Sequence, residues 1–188
     1  SNSALETAFE RLSTGKRINS ASDDAAGLAI GTDLQSRVSG LNQAVRNVND
    51  GISMIQITEG AYSEVTSILQ RMRDLAVQGA SGALSSTETS YLDTEQSKLA
   101  DALDTVLNQA KFGNTDLITG SAVSKVIHAG ADVADTISIT LAATTNSNAE
   151  DLTVRAADIT IGNTAAITKI DSALDKVSSH RATLGAQQ

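Results

Sequence analysis

The run of residues 24–78, DAAGLAIGTDLQSRVSGLNQAVRNVNDGISMIQITEGAYSEVTSILQRMRDLAVQ, decides the fold. Its apolar residues fall on a seven-residue step: Leu34, Leu41, Val48, Ile55, Tyr62 and Leu69. A second series, Val38, Val45 and Ile52, sits three or four positions away. Alternating steps of three and four keep an apolar seam on one side of a helix that supercoils gently about a partner. Near Thr58 and Glu59 the second series breaks and resumes one residue early at Val65 and Met72, a skip that rewinds the supercoil without ending the helix. At about 1.5 Å per residue such a helix is roughly 80 Å long. That is too long for the core helix of an ordinary globular domain, so partner helices are required.

The rest of the chain supplies them. Ser85-Ser86-Thr87-Glu88 reads as a capping box, with Ser85 as cap and Glu88 reaching back. It opens a second helix to Ala110, with a seam of Leu92, Leu99 and Val106 and with Leu103 and Leu107 alongside. The Gly/Ala/Ser turn between two long helices implies an antiparallel pair. Before the long helix, residues 3–14 present Leu5, Ala8, Phe9 and Leu12 on one helical face, and Gly15 is the expected stop. Residues 15–24, GKRINSASDD, read as an irregular connector in which Ser22, Asp23 and Asp24 are candidate N-caps.

After the second helix the period changes. Residues 111–121 are turn-rich, and Thr136-Ile137-Ser138-Ile139-Thr140-Leu141 alternates polar and apolar. Residues 123–128 pair with it through the 130–135 turn, a hairpin with one buried face. Residues 142–150 read as a surface loop, and 152–154 and 159–161 as weaker strand or turn candidates. From Asn163 helical spacing returns with Ile167, Ile170, Leu174, Val177 and Leu184. The expected architecture is mainly α: an elongated antiparallel coiled-coil or helical bundle with a small β-hairpin lobe. Its parts are a terminal helix and connector (1–23), a two-helix core (24–110), a hairpin lobe with a short variable segment (111–162) and a last core helix (163–188).

Composition narrows the function. Of 188 residues 40% are hydrophobic but only 2% aromatic, with no Trp, Pro or Cys, so the core is built from Leu, Ile, Val and Ala. Without Cys there is no disulfide, thiol chemistry or thiolate metal site. A net charge of −8 and no basic stripe argue against nucleic acid. No apolar run is long enough to span a bilayer, and no cleaved secretory signal opens the chain. His128 and His180 lack the spacing of a metal pair; His128 belongs on the hairpin and His180 on a solvated helix face. The glycines at 27, 31, 40, 51 and 60 make no phosphate loop. No cofactor and no enzymatic activity are expected.

Residues 10–30, ERLSTGKRINSASDDAAGLAI, resemble the amino-terminal signature of bacterial flagellin. The similarity continues through RNVNDGIS at 46–53, LQRMRDLAVQ at 69–78, KFGN at 111–114 and IDSALDKVSSHRATLGAQQ at 170–188. These ordered motifs cover most of the chain. The resemblance implies a structural filament subunit of the bacterial flagellum, extracellular and exported through the flagellar apparatus. Family members begin earlier and continue past Gln188, so the chain is expected to be a core fragment lacking the terminal helices that line the filament. Implied partners are copies of itself, an export chaperone, cap and junction proteins, and the vertebrate Toll-like flagellin receptor. For that receptor the resemblance points to Arg71, Leu75 and Glu95, with Gln70 and Gln78 nearby. An Arg supplies a bidentate donor fork and a Leu an apolar anchor. From spacing alone, Arg71 and Glu95 instead form an interhelical surface pair over a Leu75 packed in the bundle. Thr144, Thr145 and Ser147 are candidate O-glycosylation positions in a polar loop. The alternatives are the hook–filament junction protein and a cell-surface glycan- or receptor-binding relative; the scarcity of aromatic residues leaves a sugar-stacking platform poorly supplied.

Overall fold

A computed structural model describes residues 2–118, 123–141, 160–162 and 164–188. The elements in chain order are α1 (Asn2–Thr14), α2 (Ala25–Gly79), α3 (Ser86–Gln109), β1 (Lys111–Phe112), β2 (Thr115–Asp116), β3 (Val123–His128), β4 (Thr136–Leu141) and α4 (Thr164–Gln187). The loop expected at 142–150, the strand candidate at 152–154 and the candidate glycosylation positions Thr144, Thr145 and Ser147 fall outside the described residues; of the strand or turn candidate at 159–161, residues 160 and 161 are described, and Ile161 lies in a turn.

The chain forms two compact units, Ser1–Val48 with His128–Thr136, and Asn49–Ile127 with Ile137–Gln188. In the first unit α1 stops where expected. Gly15 takes the left-handed conformation (φ 66°) and its N–H donates to the Arg11 carbonyl at 2.9 Å. Of the three candidate caps it is Asp24 that starts α2, its Oδ1 accepting the Gly27 N–H at 2.8 Å. Asp23 instead pins the connector by accepting the Asn19 and Ser20 N–H groups, each at 3.1 Å. Those backbone donors, Asn19 first, hold its pKa below the usual carboxylate value. The 129–135 turn lies on α2. Ala131 would be 3.3 Å from a Cβ built on Gly40, and the Asn47 amide donates to the His128 carbonyl at 3.1 Å.

The second unit holds the core: Ile55, Tyr62, Val65, Leu69 and Met72 of α2, Leu103 and Leu107 of α3, and Ile170, Val177 and Leu184 of α4 are all buried. Contacts between helices fix their directions. Arg71 of α2 meets Glu95 of α3, six residues of turn away from the end of α2, so the pair is antiparallel. Arg73 meets Asp171 and Glu59 meets Arg181, so α4 also runs antiparallel to α2. The capping box at the start of α3 is complete, with Ser85 Oγ accepting from Glu88 N–H and Glu88 Oε2 accepting from Ser85 N–H. Ile161, buried just before α4, donates its N–H to Asp93 Oδ1 of α3 at 2.8 Å.

Two expectations about the seams are corrected. The inward series on α2 is Ala44, Gly51, Thr58, Val65 and Met72, a strict step of seven, beside Ile55, Tyr62, Leu69 and Ala76. There is no skip at Thr58. The seam passes through residues too small or too polar to be read as apolar. Gly51 is small because Ile139 Cδ1 of β4 would lie only 2.9 Å from a Cβ there, and Thr58 satisfies its hydroxyl on the Met54 carbonyl at 2.8 Å. The second correction concerns Leu34, Val38, Leu41 and Val45, which are 50–60% exposed rather than buried. On α3 the deepest row is Gln96, Ala100, Leu103 and Leu107, with Leu92, Leu99 and Val106 half-buried around it.

A further small hairpin was not anticipated. β1 and β2 pair antiparallel, Lys111 opposite Asp116 and Phe112 opposite Thr115, around Gly113 at φ 58°. The opposed Lys111 and Asp116 form an ion pair of 2.9 Å.

Candidate partner-binding face

Of the five residues singled out from sequence, four lie on α2 and Glu95 on α3, and the structure joins Arg71 to Glu95. Arg71 and Glu95 form the pair that spacing suggested. One carboxylate oxygen of Glu95 accepts from both Nε, at 2.9 Å, and Nη2, at 2.5 Å, of Arg71. Their side chains remain 55% and 42% exposed, so water screens the attraction and a partner could compete for either group. Gln70 and Gln78 are exposed on the same helix. Leu75 is not: it is 1% exposed and packs into the bundle, so it supports the face from below and offers no contact surface. A second ion pair, Arg73 with Asp171 at 2.7 Å, ties the other flank of α2 to α4. The hydrogen bond and charge of Asp171 raise the Arg73 pKa.

The histidines are placed differently from each other. His128 is exposed at the end of β3. His180 is half-buried rather than solvated, its ring 5.7 Å from that of Tyr62. Tyr62 itself is buried, which pushes its pKa up to about 12. Among the described residues no group of three His, Asp or Glu side chains could hold a metal ion, and no helix is long and apolar enough to cross a membrane. In the first unit a groove of about 1040 Å³ runs along Gly27, Gly31, Ser36 and Gly40 of α2, with Lys16 and Arg46 as its charged lining. Its small residues carry no periodic apolar signal, which is why the sequence pattern does not reveal it.

Comparison with known proteins gives a consistent picture. Residues 1–123 match the family model described as the bacterial flagellin N-terminal helical region. Polar flagellin F of Vibrio parahaemolyticus is 48% identical over 137 residues, covering 73% of this chain and 36% of the relative. Flagellin A of Vibrio anguillarum is 52% identical over 117 residues, covering 62% of this chain and 31% of the relative. The chain thus spans about a third of the length of the curated relatives it matches. Among solved structures, the crystal structure of Bacillus cereus flagellin superposes with a TM-score of 0.59 at 28% identity, covering 76% of this chain and 82% of that one. FliC from Burkholderia pseudomallei superposes with the same TM-score at 17% identity, covering 73% of this chain and 98% of that one, a likeness of fold.

Proposed function

The chain belongs to the bacterial flagellin family, and from that membership we propose that it serves as a structural subunit of the flagellar filament, outside the cell and without a catalytic role. The observation that carries this reading is α2, a 55-residue helix with no interior proline, locked in the second unit to two antiparallel partners. Stiff helical bodies repeat weak lateral and axial contacts well, and open heterologous contacts of this kind build helical filaments. The partners are further copies of the chain, an export chaperone, and cap and junction proteins. Export through the flagellar apparatus brings the chain to the extracellular filament. The test is electron microscopy of the protein as its native gene encodes it, incubated with short filament seeds. Long filaments growing from the seeds are expected. A soluble, helical protein that never elongates them would favour the hook–filament junction protein or a surface-binding relative.

A second reading adds recognition by the vertebrate Toll-like flagellin receptor. It is favoured by the exposed Arg71–Glu95 pair with Gln70 and Gln78 beside it, supported from beneath by Leu75. Binding to the receptor ectodomain that is lost in Arg71→Ala is the expected result. Undiminished binding by that variant would exclude the face.

A further inference from the structure

β4 has the composition of a segment that pairs with copies of itself. Its residues, Thr136-Ile137-Ser138-Ile139-Thr140-Leu141, include no charge, no Pro and no Gly, and all but Ser138 and Leu141 are β-branched. Short segments of this kind stack edge to edge wherever a strand edge is open. β3 and β4 form a sheet of two strands, so each has one edge with no strand beside it. In an antiparallel pair the backbone groups of alternate residues face the partner strand, and those between face outward. The Asp135 carbonyl accepts the Ala129 N–H at 2.8 Å and so faces β3, which turns Thr136, Ser138 and Thr140 to the outer edge of β4. Groups of the same chain already occupy the donors at both ends of that edge. The Thr136 N–H bonds the Ala134 carbonyl at 2.9 Å, and the Thr140 N–H bonds Oε1 of Gln187, the last residue of α4, at 3.1 Å. On β3 the outward carbonyl of His128 is likewise taken, by the Asn47 amide of α2 at 3.1 Å. Gln187 and Asn47 are half-buried although the strand residues they bond are exposed.

We propose that Gln187 is an edge cap, an autoinhibitory contact that denies the outer edge of β4 to the β4 of a second copy. With the Thr136 and Thr140 donors occupied, an incoming strand meets only the Ser138 N–H between them, too short a ladder to hold two chains together. A side-chain amide suits this task because it satisfies one strand donor and carries no further backbone that could continue the sheet. Sheets elsewhere guard an edge with a lysine, a proline or a covering helix; here the covering helix, α4, contributes one amide at the position where the strand would otherwise offer its last donor.

The test compares the chain with its Gln187→Leu and Gln187→Glu variants and with Gln187→Leu combined with Ser138→Pro, each shown to be helical by circular dichroism. Leu keeps the bulk of Gln187 and removes the acceptor, Glu keeps an acceptor oxygen, and Pro removes the remaining outward donor at a position where an edge strand tolerates it. Gln187→Leu is expected to speed hydrogen exchange at the Thr140 amide roughly fivefold, the worth of one net hydrogen bond. It is also expected to self-associate, by light scattering with a rise in thioflavin T fluorescence, at concentrations where the parent does not. Gln187→Glu should behave as the parent, and Ser138→Pro should suppress the association of the Leu variant. Faster exchange at Thr140 with no association would reduce Gln187 to a tether between β4 and α4 and overturn the cap. Unchanged exchange at Thr140, or association that persists in the Ser138→Pro combination, would overturn it as well.

Discussion

Ile161 stands where a side chain on Gly79 would have to go: a Cβ built on Gly79 would overlap the Cγ2 methyl of Ile161. Ile161 is itself buried and held by its N–H bond to Asp93, so it has little room to retreat. Gly79→Ala should therefore destabilise the chain by about 1–3 kcal/mol, the usual cost of overpacking. The same substitution at Gly60, a mid-helix position whose Cβ would meet nothing within 4 Å, should stabilise by about 0.5–1 kcal/mol. Thermal unfolding followed by circular dichroism should move the two variants in opposite directions.

Gln96 is 1% exposed, and neither atom of its side-chain amide has a hydrogen-bond partner among the described residues. A buried polar group left in that state costs about 1–3 kcal/mol. Gln96→Leu, close in shape, should raise the melting temperature by about 2–4 °C for each kcal/mol gained in a chain of this size. A fall in melting temperature would mean the amide is satisfied in solution.

The two halves of the α2 seam should respond differently to truncation. Leu69 is wholly buried, so Leu69→Ala should cost about 2–5 kcal/mol. Leu34 is 56% exposed, and Leu34→Ala should stay within about 0.5 kcal/mol. Chemical denaturation of both variants measures the contrast.

That contrast also marks how far the sequence could be read. The long helix, the capping box, the main hairpin and the last helix were legible because each has a strong local signal, a period or a cap. Residues 44, 51 and 58 were not: Ala44, Gly51 and Thr58 face inward because neighbouring elements come close there, and nothing local announces a neighbour. Leu75 is a different case: spacing alone placed it in the bundle, where it is buried, while the family resemblance pointed to it as an exposed anchor. Its spacing favoured the core, and the packing of the second unit agrees.

Glu88 makes the chain sensitive to acid at the start of α3. Its hydrogen bonds from the Ser85 hydroxyl and then the Ser85 N–H lower its pKa from the usual 4.5. A carboxylate whose folded pKa is depressed contributes stability that is fully present above the unfolded value and is lost as pH falls through the folded one. The gap in melting temperature between the parent and Glu88→Ala should therefore be constant near neutral pH and narrow below about pH 4.5. A gap that widens in acid would contradict the capping geometry.

One unbroken helix serves two units that differ sharply in what they bury. In the part of α2 up to Val48 only Ala44 is buried among the described side chains, whereas the part from Asn49 onward carries most of the α2 core. The backbone hydrogen bonds are the same from end to end, but the free energy needed to open them is not. Hydrogen exchange should resolve α2 into a gradient, slow amides around Leu69 giving way to fast ones around Leu34, with the step near Val48. The amino-terminal turns of α2 would then open on their own, at a lower free-energy cost than the half that carries the core.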